Sequence, residues 1–189
     1  IIHLLLLCFF GCITRFYRLA AVPINIQPDA VDTIRMYIEH QRWGNVTLFS
    51  TNWNGSHIVN QYLIAFPWEL TGRAVWGVRL GPAVLSIICI VLFYCVVWRW
   101  TKRPWLAFVV SLLFASDPWL LNFSRSGWEN IANIIPTLGL LFVFTLARSQ
   151  QRLRWNLLFA IGVISPYLYH PGKLIGIVAI AWLLLDIAR

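Results

Sequence analysis

Acidic side chains are scarce in this chain: seven aspartates and glutamates stand among 189 residues, and charged residues of both signs make up 12%. Hydrophobic residues make up 59% and the mean hydropathy is +0.70. A soluble domain of this size could not carry such values without large exposed apolar patches. A glycine-rich phosphate loop and a dinucleotide fingerprint are both missing, so the common routes to a soluble nucleotide cofactor are closed. The four cysteines, Cys8, Cys12, Cys89 and Cys95, lie inside apolar runs without metal-ligand spacing and read as small buried hydrophobes.

What is present is a series of apolar runs, read as spans at about 1–14, 74–98, 104–121, 131–147, 155–169 and 174–188. A bilayer core needs ~20 apolar residues, so the last two are short. The basic residues around them and the breaks at Pro166 and Pro171 favour two kinked spans over a re-entrant hairpin. The chain opens at Ile1 inside an apolar run without an initiator methionine, and Thr14, Arg15 and Phe16 follow that run where a signal-peptide cleavage site would stand. It therefore reads as an N-terminal fragment of a larger membrane protein.

The formal charge of +8 invites a nucleic-acid reading, but the basic residues sit at the ends of apolar runs and not along one face. No nucleic acid is expected as a partner. Arg99, Lys102, Arg103, Arg148, Arg152 and Arg154 crowd two short acid-free connectors, which are assigned to the cytoplasmic side. The opposite side holds six of the seven acids, most of them in a long outer-face loop, 15–73. Within that loop, 30–42 carries Val31, Ile34, Tyr37 and Ile38 on one helical stripe, and 58–70 is likewise amphipathic. Both are predicted to be helices lying on the membrane surface. A long structured loop at one membrane face is where chemistry is expected, and a donor used there must arrive attached to lipid.

Several segments, in order, resemble the lipid-dependent GT-C-type glycosyltransferases related to protein O-mannosyltransferases and to the aminoarabinose transferase of lipid A, a glycosyltransferase family 39-like group. They are Gln27-Pro28-Asp29-Ala30-Val31-Asp32 after the first apolar run, Gly72-Arg73-Ala74-Val75-Trp76-Gly77-Val78-Arg79 at the second, Ser116-Asp117-Pro118 through Arg125 to Asn130, and Tyr169-His170-Pro171-Gly172-Lys173. The resemblance covers nearly the whole chain. It implies an all-α polytopic membrane protein, a GT-C-type transmembrane helical bundle with amphipathic surface helices in the first outer-face loop. One departure stands out: family members commonly follow the first-loop aspartate with glutamate, and here Ala30 follows Asp29.

Sugar transfer from a polyprenyl phosphate needs a carboxylate to take the acceptor's proton and positive charge to stabilise the departing phosphate. Asp29, with Asp32 as its substitute or assistant, is the candidate catalytic acid pair, and Arg79 and Arg125 are the candidate donor-phosphate ligands. Each has a plainer reading. Asp29 could be an N-cap of the following helix, Asp32 a surface partner of Arg35, Arg79 a snorkelling side chain, and Arg125 a partner of Glu129. His57, Glu129, Asn130, Tyr167, Tyr169, His170 and Lys173 are candidate cavity residues, against the plainer readings of a hydrogen-bonded loop histidine and an interfacial tyrosine belt.

The expected partners are the polyprenyl-phosphate sugar donor, the lipid bilayer, and an acceptor lipid, glycan or protein. No metal site is read from the residues and no cofactor is required, although a role for His57 leaves a divalent metal open. The expected location is a multi-pass protein of a bacterial inner or plasma membrane with its site facing the periplasm or exterior. A transporter, a lipid-linked-sugar flippase and a non-catalytic membrane scaffold are the alternatives. The spans are almost free of charge in their interiors, which disfavours a midplane transport site.

Overall fold

The computed structural model describes residues 1–22, 24, 26–43, 58–168 and 170–188. Among them every regular element is helical: α1 (Ile2–Phe16), α2 (Pro28–Trp43), α3 (Ile58–Leu70), α4 (Val75–Thr101), α5 (Pro104–Ser116), α6 (Pro118–Ser126), α7 (Ile134–Phe144), α8 (Gln151–Ile164) and α9 (Gly172–Ile187), with 3-10 turns at Glu129–Asn133, Arg148–Gln150 and Ser165–Tyr167. The expected residues His57 and Tyr169, and the side chain of Glu129, lie outside the described residues.

The 27-residue α4 is the axis, packing against α1, α3, α5, α6 and α7. By length and composition it is the one described helix able to cross a bilayer alone, while α5 and α6 together pass the same test across a 55° bend. The bend has a local cause. Pro118 cannot extend α5 and pushes Asp117 out of helical geometry, leaving its ψ at 126°. The Asp117 carboxylate then accepts the Leu120 amide at 2.9 Å and starts α6 as its N-cap. The expected span at 104–121 is therefore a broken element that continues to Ser126. Ile2–Phe16 and the stretch 130–144 are apolar but shorter.

The core at α4 joins Leu7 of α1, Ile90 and Tyr94 of α4, Ala107 and Ala115 of α5, Leu120 of α6 and Ile131. A second cluster, Val143, Leu158 and Ala179, binds α7, α8 and α9. On the acidic side α2 and α3 pair with each other and α3 lies along α4. The α3–α4 approach depends on Gly81: a Cβ there would run into the Leu63 backbone carbonyl. The α2 helix is amphipathic, but its buried face is Ala30, Thr33, Met36 and Tyr37, and Val31 stands outward. The stripe read from the large apolar residues is thus rotated, because the small Ala30 is buried against Ile64 and Val78. Tyr37 locks the pair by donating its phenolic hydrogen to the Glu69 carboxylate.

Candidate active site

The turn after α1 exposes carbonyls that no further helical turn can satisfy. Two arginines from other helices take them. Arg125, in the last turn of α6, donates from Nη1 to the carbonyls of Thr14 at 2.6 Å and Arg15 at 3.0 Å, and from Nη2 to those of Tyr17 at 2.8 Å and Val22 at 3.0 Å. Arg79, in the second turn of α4, donates from Nη1 to the Leu19 carbonyl at 2.7 Å. Its side chain is wholly buried, so it turns inward and does not snorkel.

A third arginine joins them. Arg15, at the end of α1, is completely buried, with Nε on Ser86 Oγ at 3.0 Å and Nη1 on Thr14 Oγ1 at 2.7 Å. Its Nη2 has no hydrogen-bond partner among the described residues. Arg125 lies close enough to act electrostatically on both Arg15 and Arg79. Arg35–Glu39 and Arg154–Asp186 are ion pairs among the described residues, and neither includes Arg15 or Arg125. Backbone carbonyls satisfy the N–H groups of Arg125 without cancelling its charge. Burying net charge in this way costs several kcal/mol per ion unless an anion compensates it.

Asp29 enters the same junction on α2. The Gln27 amide donates to the Ser126 carbonyl at 3.3 Å, tying the start of α2 to the end of α6. Gly127 closes α6 with a φ of 81°, and a Cβ there would stand 3.0 Å from Val78 and 3.7 Å from Ala30. Asp29, Arg79 and Arg125 therefore each lie within two residues of one three-helix contact. Asp29 is not the N-cap: α2 starts at Pro28, which suits the first helical position, and Asp29 occupies the first turn, half-buried. A carboxylate there is favoured by the helix dipole. Asp32 follows one turn later, also half-buried. Arg35 pairs with Glu39 at 3.2 Å on an exposed surface, where the sequence suggests Asp32 as its partner. Ala30, standing where the family's glutamate is expected, is buried against Ile64 and Val78, a setting without room for a solvated carboxylate.

Around and beyond Gly127 the chain carries a run of buried polar atoms without hydrogen-bond partners among the described residues: Ser126 Oγ, Trp128 Nε1, Asn130 Oδ1 and Asn133 Oδ1. Such atoms are rare in folded proteins and call for an explanation where they gather. Asn133 Oδ1 would be 3.0 Å from a Cβ at Gly172, which links this turn to the α8–α9 connection. There Tyr167 is half-buried and His170 and Lys173 are exposed, all three with contacts of their own. Sequence reading treats Arg15 as the first loop residue. Arg15 is one of only two basic residues directly bordering the first apolar run's polar exit, which was the available signal.

A groove of about 480 Å³ opens beside Arg125, walled by Ile13, Tyr17, Val22 and Leu121, with Thr14 and Asn122 as further lining. Its walls are apolar and its cation is Arg125. The described residues hold no group of three or more histidine, cysteine or acidic side chains able to bind a metal ion.

The sequence model of the dolichyl-phosphate-mannose-protein mannosyltransferase family matches residues 56–189, which include Arg79, Arg125 and the turn through Asn133. The chain belongs to that family. It is accordingly a membrane glycosyltransferase in general type, and its all-helical architecture agrees with a GT-C-type helical fold. Asp29 and Asp32 precede the matched stretch. No curated protein and no solved structure matches the chain.

Proposed function

We propose that this family member transfers a sugar from a polyprenyl-phosphate carrier to an acceptor on the non-cytoplasmic face of a bacterial inner or plasma membrane, in one displacement with inversion. The observation that carries the reading is a shared backbone junction, where the start of α2 next to Asp29, α4 next to Arg79 and the end of α6 next to Arg125 meet, beside a groove whose apolar walls end at Arg125. An isoprenoid chain fits the walls and a phosphate fits the cation. The α1, α4, α5–α6, α7, α8 and α9 elements are read as membrane-embedded, with the basic connectors in the cytoplasm and α2 and α3 on the outer surface.

The chemistry follows from the placement. An acceptor hydroxyl or amine attacks the anomeric carbon and its proton passes to the Asp29 carboxylate. The bond from that carbon to the phosphate oxygen breaks, and its electron pair leaves on the polyprenyl phosphate. Arg125 and the buried charge of Arg15 behind it stabilise the added negative charge. Asp32 serves as the neighbouring carboxylate that Ala30 does not supply. Asn130, Trp128 and the α8–α9 turn with Tyr167, His170 and Lys173 supply polar side chains for the sugar or acceptor, and Glu129, His57 and Tyr169 are added to them by the family resemblance alone.

Full-length protein in proteoliposomes, supplied with polyprenyl-phosphate sugars labelled in the sugar, tests this reading. Label moving to acceptor with equimolar release of polyprenyl phosphate is expected. Transfer from a soluble nucleotide sugar in the absence of any lipid-linked donor would refute it.

A further inference from the structure

A second groove lies between α8 and α9, far along the chain from the first. It holds about 500 Å³ and is lined by Gly162 and Pro166 on one side and by Lys173, Gly176, Ile177, Ile180, Ala181 and Leu184 along α9. Lys173 stands at one end and every residue beyond it is apolar. Lys173 and Leu184 stand eleven helical steps apart on α9, or about 16 Å at 1.5 Å per step. That is about half of a ~30 Å hydrocarbon core, the depth of one leaflet. The floor exists because α8 and α9 meet at small residues: the Gly162 carbonyl would be 3.0 Å from a Cβ on Gly176. The rim is formed by exposed Ile177 and Leu184. Lys173 also sits in the first turn of α9, where the positive end of the helix dipole adds to its charge.

We infer that this groove binds one anionic phospholipid of the outer leaflet, with an acyl chain along α9 and the headgroup phosphate at Lys173. Charge complementarity selects the headgroup and the one-leaflet length selects a single bilayer lipid, which separates this site from the groove at Arg125. The inference rests on reading α8 and α9 as membrane-embedded. Ala181, unlike Lys173, has no part in the proposed sugar transfer, so a lipid lost in an Ala181 variant can be told from a lost transfer.

Native mass spectrometry of the detergent-purified full-length protein tests it, with phosphatidylglycerol and phosphatidylcholine of identical chains as probes. The parent should prefer phosphatidylglycerol. Lys173→Gln should weaken phosphatidylglycerol about fivefold, the worth of one near-surface cation, and weaken phosphatidylcholine less, because its choline cation already offsets the phosphate. Ala181→Phe, at an exposed rim position, should fill the groove and weaken both lipids. Both variants should unfold at the parental temperature in lipid-free detergent, which keeps a lost lipid distinct from a lost fold. Equal binding of the two lipids by the parent would overturn the inference, as would parental binding by either variant. Displacement of bound phosphatidylglycerol by polyprenyl phosphate at equal concentration would overturn it too, by giving the groove to the donor.

Discussion

Replacing Arg125 separates its two duties, holding the turn after α1 and presenting charge to the groove. Its two exposed bonds, to Tyr17 and Val22, can be replaced by water, whereas the partly buried pair to Thr14 and Arg15 cannot be replaced as easily. A hydrogen bond from a charged group contributes about 1.5–3 kcal/mol. Arg125→Lys keeps the charge and can satisfy one pair of carbonyls with its compact ammonium but not both. If lysine holds the buried pair, the loss is about 1 kcal/mol, and if it holds the exposed pair, about 3 kcal/mol. Arg125→Ala abandons all four carbonyls, at a cost of about 3–6 kcal/mol. At about 2–4 °C per kcal/mol for a chain of this size, the midpoint should fall in the order parent, lysine, alanine. The eleven tryptophans allow intrinsic fluorescence to follow unfolding in detergent. Donor binding measured on the lysine variant at low temperature, where it stays folded, then reads the charge alone. An alanine variant with parental stability would refute the clasp, and the four bonds would then have no energetic meaning.

Tyr37→Phe removes the phenol's bond to Glu69 and should loosen α2 against α3 by about 1.5–3 kcal/mol, seen as faster amide hydrogen exchange in α2. The bond to Glu69, burial of the phenol and the neighbouring negative charge together push Tyr37 ionisation above its ordinary value of 10. The folded state therefore favours the protonated phenol. The contribution is intact below pH 10 and disappears as pH climbs through the raised value, so the parent should lose α2 protection at high pH and the phenylalanine variant should show no such step. Gly81→Ala drives a methyl into the Leu63 carbonyl, a backbone atom that cannot swing aside. It should cost about 1–3 kcal/mol or more, and an unshifted melting midpoint would contradict the packing described. For topology, in a protein whose native cysteines are replaced, Arg35→Cys on exposed α2 should react with a membrane-impermeant thiol reagent in intact cells and Ser149→Cys should be shielded. Reversed labelling would place α2 in the cytoplasm.

Helices with strong apolar content were legible from the residues, and α3 falls at 58–70 as its pattern requires. Its ends are marked by the switch from polar loop to apolar periodicity and by Thr71-Gly72. The start of α2 is different. Asp29 before an apolar stripe looks like a cap, but Pro28 already has the φ of a first helical residue, and the helix begins there. The buried face of α2 is masked in the same way, because Ala30 and Thr33 carry little hydrophobic signal and yet are buried. Charge placement proved hardest to read. An arginine at the end of an apolar run reads as a headgroup contact, and only the tertiary arrangement turns Arg15 and Arg79 inward toward the α1 turn. Arg35 has acidic neighbours three residues before and four after, and the spacing alone does not choose between them. In the structure it pairs with Glu39. The junction of α2, α4 and α6 involves residues some fifty to a hundred positions apart, and no local pattern announces it.

The central claim is that Asp29 takes the acceptor's proton. Asp29→Asn keeps the size of the side chain and gives up the charge–dipole contribution of about 0.3–1 kcal/mol in the first turn of α2, too little to unfold a helix held by Ile64 and Val78. It cannot take up a proton. Turnover of the full-length variant with lipid-linked donor and acceptor, at parental thermal stability, should fall about 100- to 10,000-fold, while Asp32→Asn in the same assay should be mild unless Asp32 has taken the base's place. Turnover of Asp29→Asn above about a tenth of the parental value would contradict the account and leave Asp29 as a residue that only favours the start of its helix.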